Sequence, residues 1–176
     1  LNEKTPFTGH VIEDYYENKQ KKKEGFYVEG KKEGIWTGWY ESGHIEGQSC
    51  YKSGRRDGIA TIWFENGQKQ FEFNFGNGEM EGLSTEWDEN GNKLNEGFYT
   101  NGNPHGICCS WWPNGNKQVE GHWEDGKLNS AMSFKFNGEK CSRSNIQQGY
   151  GVLVEYNENG SVWATTNYND GYPLED

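Results

Sequence analysis

The chain has 176 residues, of which only 31% are hydrophobic, with 25 Gly, 8 Trp, 10 Tyr, 9 Phe and a formal charge of −10. Apolar material arrives as spaced rings, so no run reaches the ~20 residues of a membrane helix and a thick aliphatic core is excluded. Residues 1–34 hold seven Lys and seven acids, so the acidic excess lies in residues 35–176 and suits a basic partner rather than nucleic acid.

The first segment, 1–33, carries Tyr15-Tyr16-Glu17-Asn18 followed by Lys19, and its cluster Lys19, Lys21, Lys22, Lys23 is the one basic patch. Flanking Glu17 and Glu24 make that patch a solvated hairpin tip rather than a nucleic-acid site. From here glycines recur on a 24-residue beat. One series is Gly43, Gly67, Gly91, Gly115, Gly138, Gly160, and another is Gly30, Gly54, Gly78, Gly102, Gly126, Gly149, Gly171. A third, Gly34, Gly58, Gly82, Gly106, keeps the same step. A period of this length marks a repeat architecture.

Each unit begins with an alternating strand: Ile35/Thr37/Trp39, Ile59/Thr61/Trp63, Leu83/Thr85/Trp87, Ile107/Cys109/Trp111 and Val152/Val154/Tyr156. Period-two alternation of this kind predicts a strand with one buried face, taken here to be the aliphatic–Thr–Trp face. A turn phrase follows, as in Glu65-Asn66-Gly67, where Asn-Gly suits a type I turn with a bulge or a type I′ turn. A returning strand ends in Tyr27, Tyr51, Phe75, Tyr99, Trp123 or Tyr168, and a second Gly turn closes the unit. The recurring Trp and the closing aromatics are expected to stack on their equivalents next door as two ring ladders.

The fold expected is therefore all-β, an elongated array of about seven hairpins in a twisted antiparallel sheet, counted as one domain over 1–176. Divergent end units, 1–33 and 130–176, would cap it. In the sixth unit Cys141-Ser142-Arg143-Ser144-Asn145 is a polar version of the second strand.

Phrases such as Trp63-Phe64-Glu65-Asn66-Gly67-Gln68-Lys69 and Phe75-Gly76-Asn77-Gly78 resemble the second variant of the MORN repeat. Chains made almost wholly of it are similar to the YwqK-type antitoxin family of bacteria. The resemblance implies an extended hairpin sheet used for protein interaction, and a neutralising role against a secreted or polymorphic toxin. Lys19, Asp88 and Asn157 depart from the pattern, as does the sixth unit.

No catalytic motif appears: the four His share no spacing with Cys or carboxylates, and the glycines fall at turns rather than in a phosphate loop. No catalytic residue, metal site or cofactor is assigned. Glu72, Glu96 and Glu120 form a row read as partly paired with Lys69, Lys93 and Lys117. Binding is assigned instead to residues that break the beat: Trp36, Tyr40, Ile62, Phe64 and Trp112, placed on the face opposite the ladder and exposed. Asp57, Glu65, Glu86 and Asp88 contribute an acidic rim that would speed encounter with a basic toxin domain. A membrane-associated scaffold is the alternative reading, disfavoured because only Lys19–Lys23 and Lys31–Lys32 offer a basic surface, whereas open edge strands allow a homodimer. Cysteines without CxxC spacing (Cys50, Cys108, Cys109, Cys141) read as reduced thiols of a cytoplasmic protein. An export signal trimmed before Leu1 would instead place it outside the cell or on its surface.

Overall fold

The structure, a computed structural model, describes residues 5–174; Leu1, on which the export expectation turns, lies outside them. It is all-β, and no helix occurs among the described residues. By internal contacts it divides into two compact units, Leu1–Glu81 with Glu89–Gly91, and Gly82–Asp88 with Asn92–Asp176.

In the first unit the strands are β1 (Gly9–Tyr15), β2 (Lys21–Val28), β3 (Lys31–Trp39), β4 (Ile45–Lys52), β5 (Arg55–Trp63), β6 (Lys69–Gly76) and β7 (Glu79–Met80). They pair antiparallel in chain order, with the short β7 on β6. The second unit continues with β8 (Gly82–Trp87), β9 (Lys93–Thr100), β10 (Asn103–Trp111), β11 (Lys117–Glu124) and β12 (Lys127–Ser133). It also holds a separate three-stranded sheet of β13 (Gly151–Tyr156), β14 (Val162–Asn169) and β15 (Tyr172–Pro173).

The three glycine series do three different jobs. At the first turn of each hairpin a lone residue takes positive φ: Gly43 (90°), Gly67 (85°) and Gly115 (84°), closed by bonds such as Gly43 N→Tyr40 O at 2.9 Å. Lys19 occupies the same conformation (68°) without the glycine. At the second turn two consecutive residues have positive φ, as in Ser53 (50°)–Gly54 (86°), which is the two-residue type I′ turn. The third series lies inside strands, where Gly34 (68°), Gly58 (100°) and Gly106 (75°) sit at register shifts. These are β-bulges built on a left-handed glycine.

Cross-strand register shows which side chains share a face. One face carries Thr37 opposite Gln48, Gln48 opposite Thr61 and Thr61 opposite Glu72. Beside that row the repeating Trp does not meet its equivalent. Trp39 faces Ile45, Trp63 faces Lys69, Trp87 faces Lys93 and Trp111 faces Lys117. Equivalent positions lie two strands apart, ~9.5 Å, which is beyond ring contact. The expected Trp stack is thus a ladder of Trp interleaved mostly with Lys. The Lys93 ammonium lies 5.3 Å from the Trp111 ring and Lys21 5.6 Å from Trp39. Each Lys also pairs with a row carboxylate: Lys21–Glu24 at 2.7 Å, and Lys69–Glu72, Lys93–Glu96 and Lys117–Glu120 likewise.

The sixth unit departs further than the sequence suggests. Residues 141–145 form no strand; the segment 134–150 folds against β12 through the Ala131–Ile146 bridge and against β13 through Asn145 N→Val152 O at 2.9 Å. It makes the best-buried part of the second unit: Leu128, Ile146 and Leu153 in one cluster, Cys141, Val154 and Tyr156 in another. Ser133 and Ser144 are buried there with hydroxyls 2.6 Å apart; the Ser133 hydroxyl donates to the Val154 carbonyl at 2.5 Å and the Ser144 oxygen accepts from Val154 N at 3.0 Å.

Candidate functional site

The aliphatic start of the alternating face was expected inside, and it is outside. Ile35 is 61% exposed and Ile59 53% in the first unit; Ile107 is 57% exposed in the second, with Leu83 and Phe98 open beside it. Phe26 is exposed as well, opposite Glu33, and Leu83 faces Phe98 directly across the strands of the second unit. The same face does bury its next row, Thr61 and Thr85. The expectation fails because the sheet is one layer there, and only side chains flanked by long neighbours are shielded.

Trp36 and Trp112 require the opposite correction: they are 4% and 6% exposed, in the core rather than on a binding surface. The reason for Trp36 lies in its cross-strand neighbours. A Cβ built on Gly25 would stand 2.3 Å from the indole, so Trp36 fills the space that Gly25 leaves. It meets Tyr27 edge-on at 5.0 Å and Tyr51 at 6.3 Å, donates Nε1–H to the Phe26 carbonyl at 3.2 Å, and carries the Lys32 ammonium 3.6 Å above its ring. Sequence variation at this position is compensated across the row: Trp36 beside Gly25 and Ser49, then Ala60 beside Phe73. In the second unit Cys108 lies over Gly97, where an added Cβ would come within 2.6 Å of Sγ. Trp112 donates Nε1–H to the Phe134 carbonyl at 3.2 Å and meets Phe136 at 5.7 Å.

Tyr40 is half-buried and ties hairpins together. Its hydroxyl donates to the Trp63 carbonyl at 2.6 Å, as Tyr16 does to Trp39 at 3.0 Å, 23 residues on in both cases. Burial raises the Tyr40 pKa first of all, with Glu46 and Glu65 adding to the shift. Turn side chains make a second seam: Asn18 Nδ2 donates to Glu41 O, Asn66 to Glu89 O and Asn114 to Phe136 O, at 2.8–2.9 Å. Phe64 is half-buried in the same series, and Ile62 stands at the margin of exposure, opposite Gly47 and Phe71.

The rim carboxylates divide. Glu65 is exposed, but Asp57 accepts from Asn77 N at 3.2 Å and Asp88 accepts from both Asn92 N and Nδ2, at 2.8 and 2.9 Å. Glu86 accepts from Asn95 Nδ2 at 2.6 Å. Three of the four thus serve local structure.

Two features went unread in the sequence. A cleft of about 360 Å³ in the second unit is lined by Glu124, Asp125, Lys127, Leu128, Gln148 and Asp170, among others, and Lys127 bonds Asp170 at 2.7 Å across it. Trp163 is the most exposed of the large apolar side chains among the described residues, at 68%. It stands where other units have Glu46 or Gln118, and is therefore another ring that breaks the beat. All four cysteines are free thiols. Among the described residues no group of three His, Cys, Asp or Glu side chains could hold a metal ion.

Cys141 is unusual among the thiols. Burial pushes its pKa up, but hydrogen bonds from the Tyr156 and Ser144 hydroxyls and the Arg143 and Ser144 amides outweigh it and bring the value to about 7. Its Sγ lies 3.0 Å from the Tyr156 hydroxyl.

A search of curated proteins finds no match to this chain. A comparison with protein families matches the MORN repeat variant at residues 32–53, 56–77, 80–101, 104–125 and 150–170. The first four matches advance by 24 residues, each starting in a strand that carries the recurring Trp or just before it, and the gap at 126–149 coincides with the segment that leaves the pattern. Such repeats point to a repeat-based binding module. With more than half of its residues matched and every matched repeat folded as β-hairpin structure, the chain belongs to the MORN repeat variant family.

Proposed function

We propose that this protein is a non-catalytic binding module that captures a basic protein, in the manner of an antitoxin or immunity partner that neutralises a toxin domain. The observation that carries the reading is the open aliphatic row. Monomeric surfaces scatter single apolar residues, whereas here Leu83 and Ile107 recur exposed at one strand position, with Phe98 opposite Leu83, as Ile35 and Ile59 do in the first unit. A net charge of −10 favours encounter with a cationic surface, and a recurring apolar row supplies anchors once the two meet. The binding residues proposed are therefore the aliphatic row rather than Trp36 and Trp112; Tyr40, Ile62, Phe64 and Glu65 flank or brace the array.

The test is co-purification with the protein encoded beside this one, followed by titration calorimetry of the pair. Ile59→Asp and Ile107→Asp should each weaken binding at least ~10-fold, about 1.4 kcal/mol, with unchanged urea melts. Added salt should slow association. No interaction with that product, or full affinity in both variants, would remove the reading.

A further inference from the structure

β1 in the first unit and β14 in the separate three-stranded sheet of the second are strands of complementary kinds, each with backbone groups left open along one side. Inside the first unit every strand that carries the recurring Trp is flanked by returning strands, as β5 is by β4 and β6. β1 is of the Trp-bearing kind, since Tyr15 pairs with Lys21 as Trp63 pairs with Lys69. Among the described residues it pairs only with β2. β14 is of the returning kind: Val162 pairs with Tyr156 and Thr165 with Val154, as Ile45 pairs with Trp39 and Gln48 with Thr37. On its other side β15 covers only Tyr168 and Asn169, and Leu174 N reaches the Asn167 carbonyl at 2.8 Å. Strand alternation turns the Thr165 backbone groups the same way as that Asn167 carbonyl. Among the described residues nothing pairs with Val162–Thr166 on that side.

We propose that copies of this chain associate head to tail, β14 of one copy pairing with β1 of the next. The register follows from β4 and β5, where Gly47 faces Ile62, Gln48 faces Thr61 and Ser49 faces Ala60. Carried to the two edges, it sets Ala164 opposite Asp14, Thr165 opposite Ile12 and Thr166 opposite Val11. It also brings Tyr15 of one copy beside Val162 and Trp163 of the other. Those are edge residues left exposed, while the inner Trp39 and Trp63 are half-buried between neighbouring strands. Pairing completes the ladder for both.

The charges on β1 do not block this contact. Glu13 is bulged out of the β1–β2 register, accepts from the Tyr27 hydroxyl at 2.8 Å and pairs with Lys32 at 3.3 Å. Asp14 pairs with Lys22 at 3.0 Å and accepts from its own neighbour Tyr15 N at 2.8 Å. The bulge limits the pairing to a short stretch, as protected edges do, so association is weak. Because both partners carry −10, salt strengthens it, opposite to its effect on a cationic partner. The contact is heterologous, joining different surfaces of the two copies, and so adds one copy at a time.

Sedimentation velocity over micromolar to millimolar protein tests it, with circular dichroism confirming that each variant is folded. Wild type should grow in mass with concentration and more so at higher salt. Trp163→Glu blocks one edge and Tyr15→Glu the other, so each variant alone should stay monomeric. Mixed, the two should form a dimer and nothing larger, because one intact edge of each kind remains. Thr165→Pro, which removes an outward-facing amide, should also be monomeric. A wild type that stays monomeric throughout, or a mixture that forms no dimer, would overturn the proposal.

Discussion

Replacing Trp36 by Ala separates a core residue from a surface one. The indole is 4% exposed, edges two tyrosines, and holds a hydrogen bond and an ammonium. Trp→Ala in a packed site costs about 3–5 kcal/mol, whereas an exposed ring would change stability by no more than ~0.5 kcal/mol. The lost cation–π contact of Lys32 adds to the larger figure, by ~0.5–2 kcal/mol. Gly25 sharpens the test. A Cβ there would meet the indole at 2.3 Å, so Gly25→Ala alone should destabilise by several kcal/mol through a forced shift of the ring. In the Trp36→Ala background the clash is gone and the same change should be nearly neutral. Urea melts of the four proteins, followed by far-ultraviolet circular dichroism, give the coupling directly, expected at ~2–3 kcal/mol. Additive effects, or an unchanged midpoint for Trp36→Ala, would refute the packing argument.

Other predictions concern the seams and the terminal segment. Tyr40→Phe deletes one hydroxyl from the bond to the Trp63 carbonyl and should lower stability by about 0.5–1.5 kcal/mol in the same melts, with no loss of the fold. Asn66→Ala, which removes the bond to Glu89 O as well as the acceptor for Gln68 N, should cost about as much, at ~1 kcal/mol. For Cys141 the folded pKa of about 7 lies below the ordinary thiol value, so the native state favours the thiolate. Its contribution is fully present above the unfolded thiol pKa and is lost as pH falls through about 7. The urea midpoint should therefore rise from pH ~6.5 to ~9, and Cys141→Ser should flatten that rise; an equal slope in the variant would contradict the assignment.

The 24-residue beat made the hairpins, both turns and the family legible, because Gly at positive φ and Asn-Gly are local signals. The third glycine series was visible but not its meaning, since a bulge is defined by the strand opposite. Which face is buried is not legible in the sequence for a related reason. Alternation says that Ile35 and Trp36 point to opposite sides but not which side is covered. That is decided by Gly25 across the strands, a residue ten or more positions away that makes room for an indole. Likewise Tyr40 reads as a free ring in sequence, and only the next hairpin, 23 residues on, supplies the carbonyl that holds it. The segment 134–150 kept two glycines of the beat, but Cys141, Ser144 and Ile146 are buried by tertiary packing that periodicity does not encode.

Hydroxyl-radical footprinting of the folded protein, read by mass spectrometry, tests most directly whether rings hold the array while the aliphatic row stays open. Indoles react readily, so protection of Trp36 and Trp112 would report burial rather than chemistry. The account predicts that both are protected while Trp163 and Phe98, 68% and 53% exposed, are oxidised rapidly. Oxidation of Trp36 and Trp112 as fast as Trp163, with Phe98 protected, would contradict it.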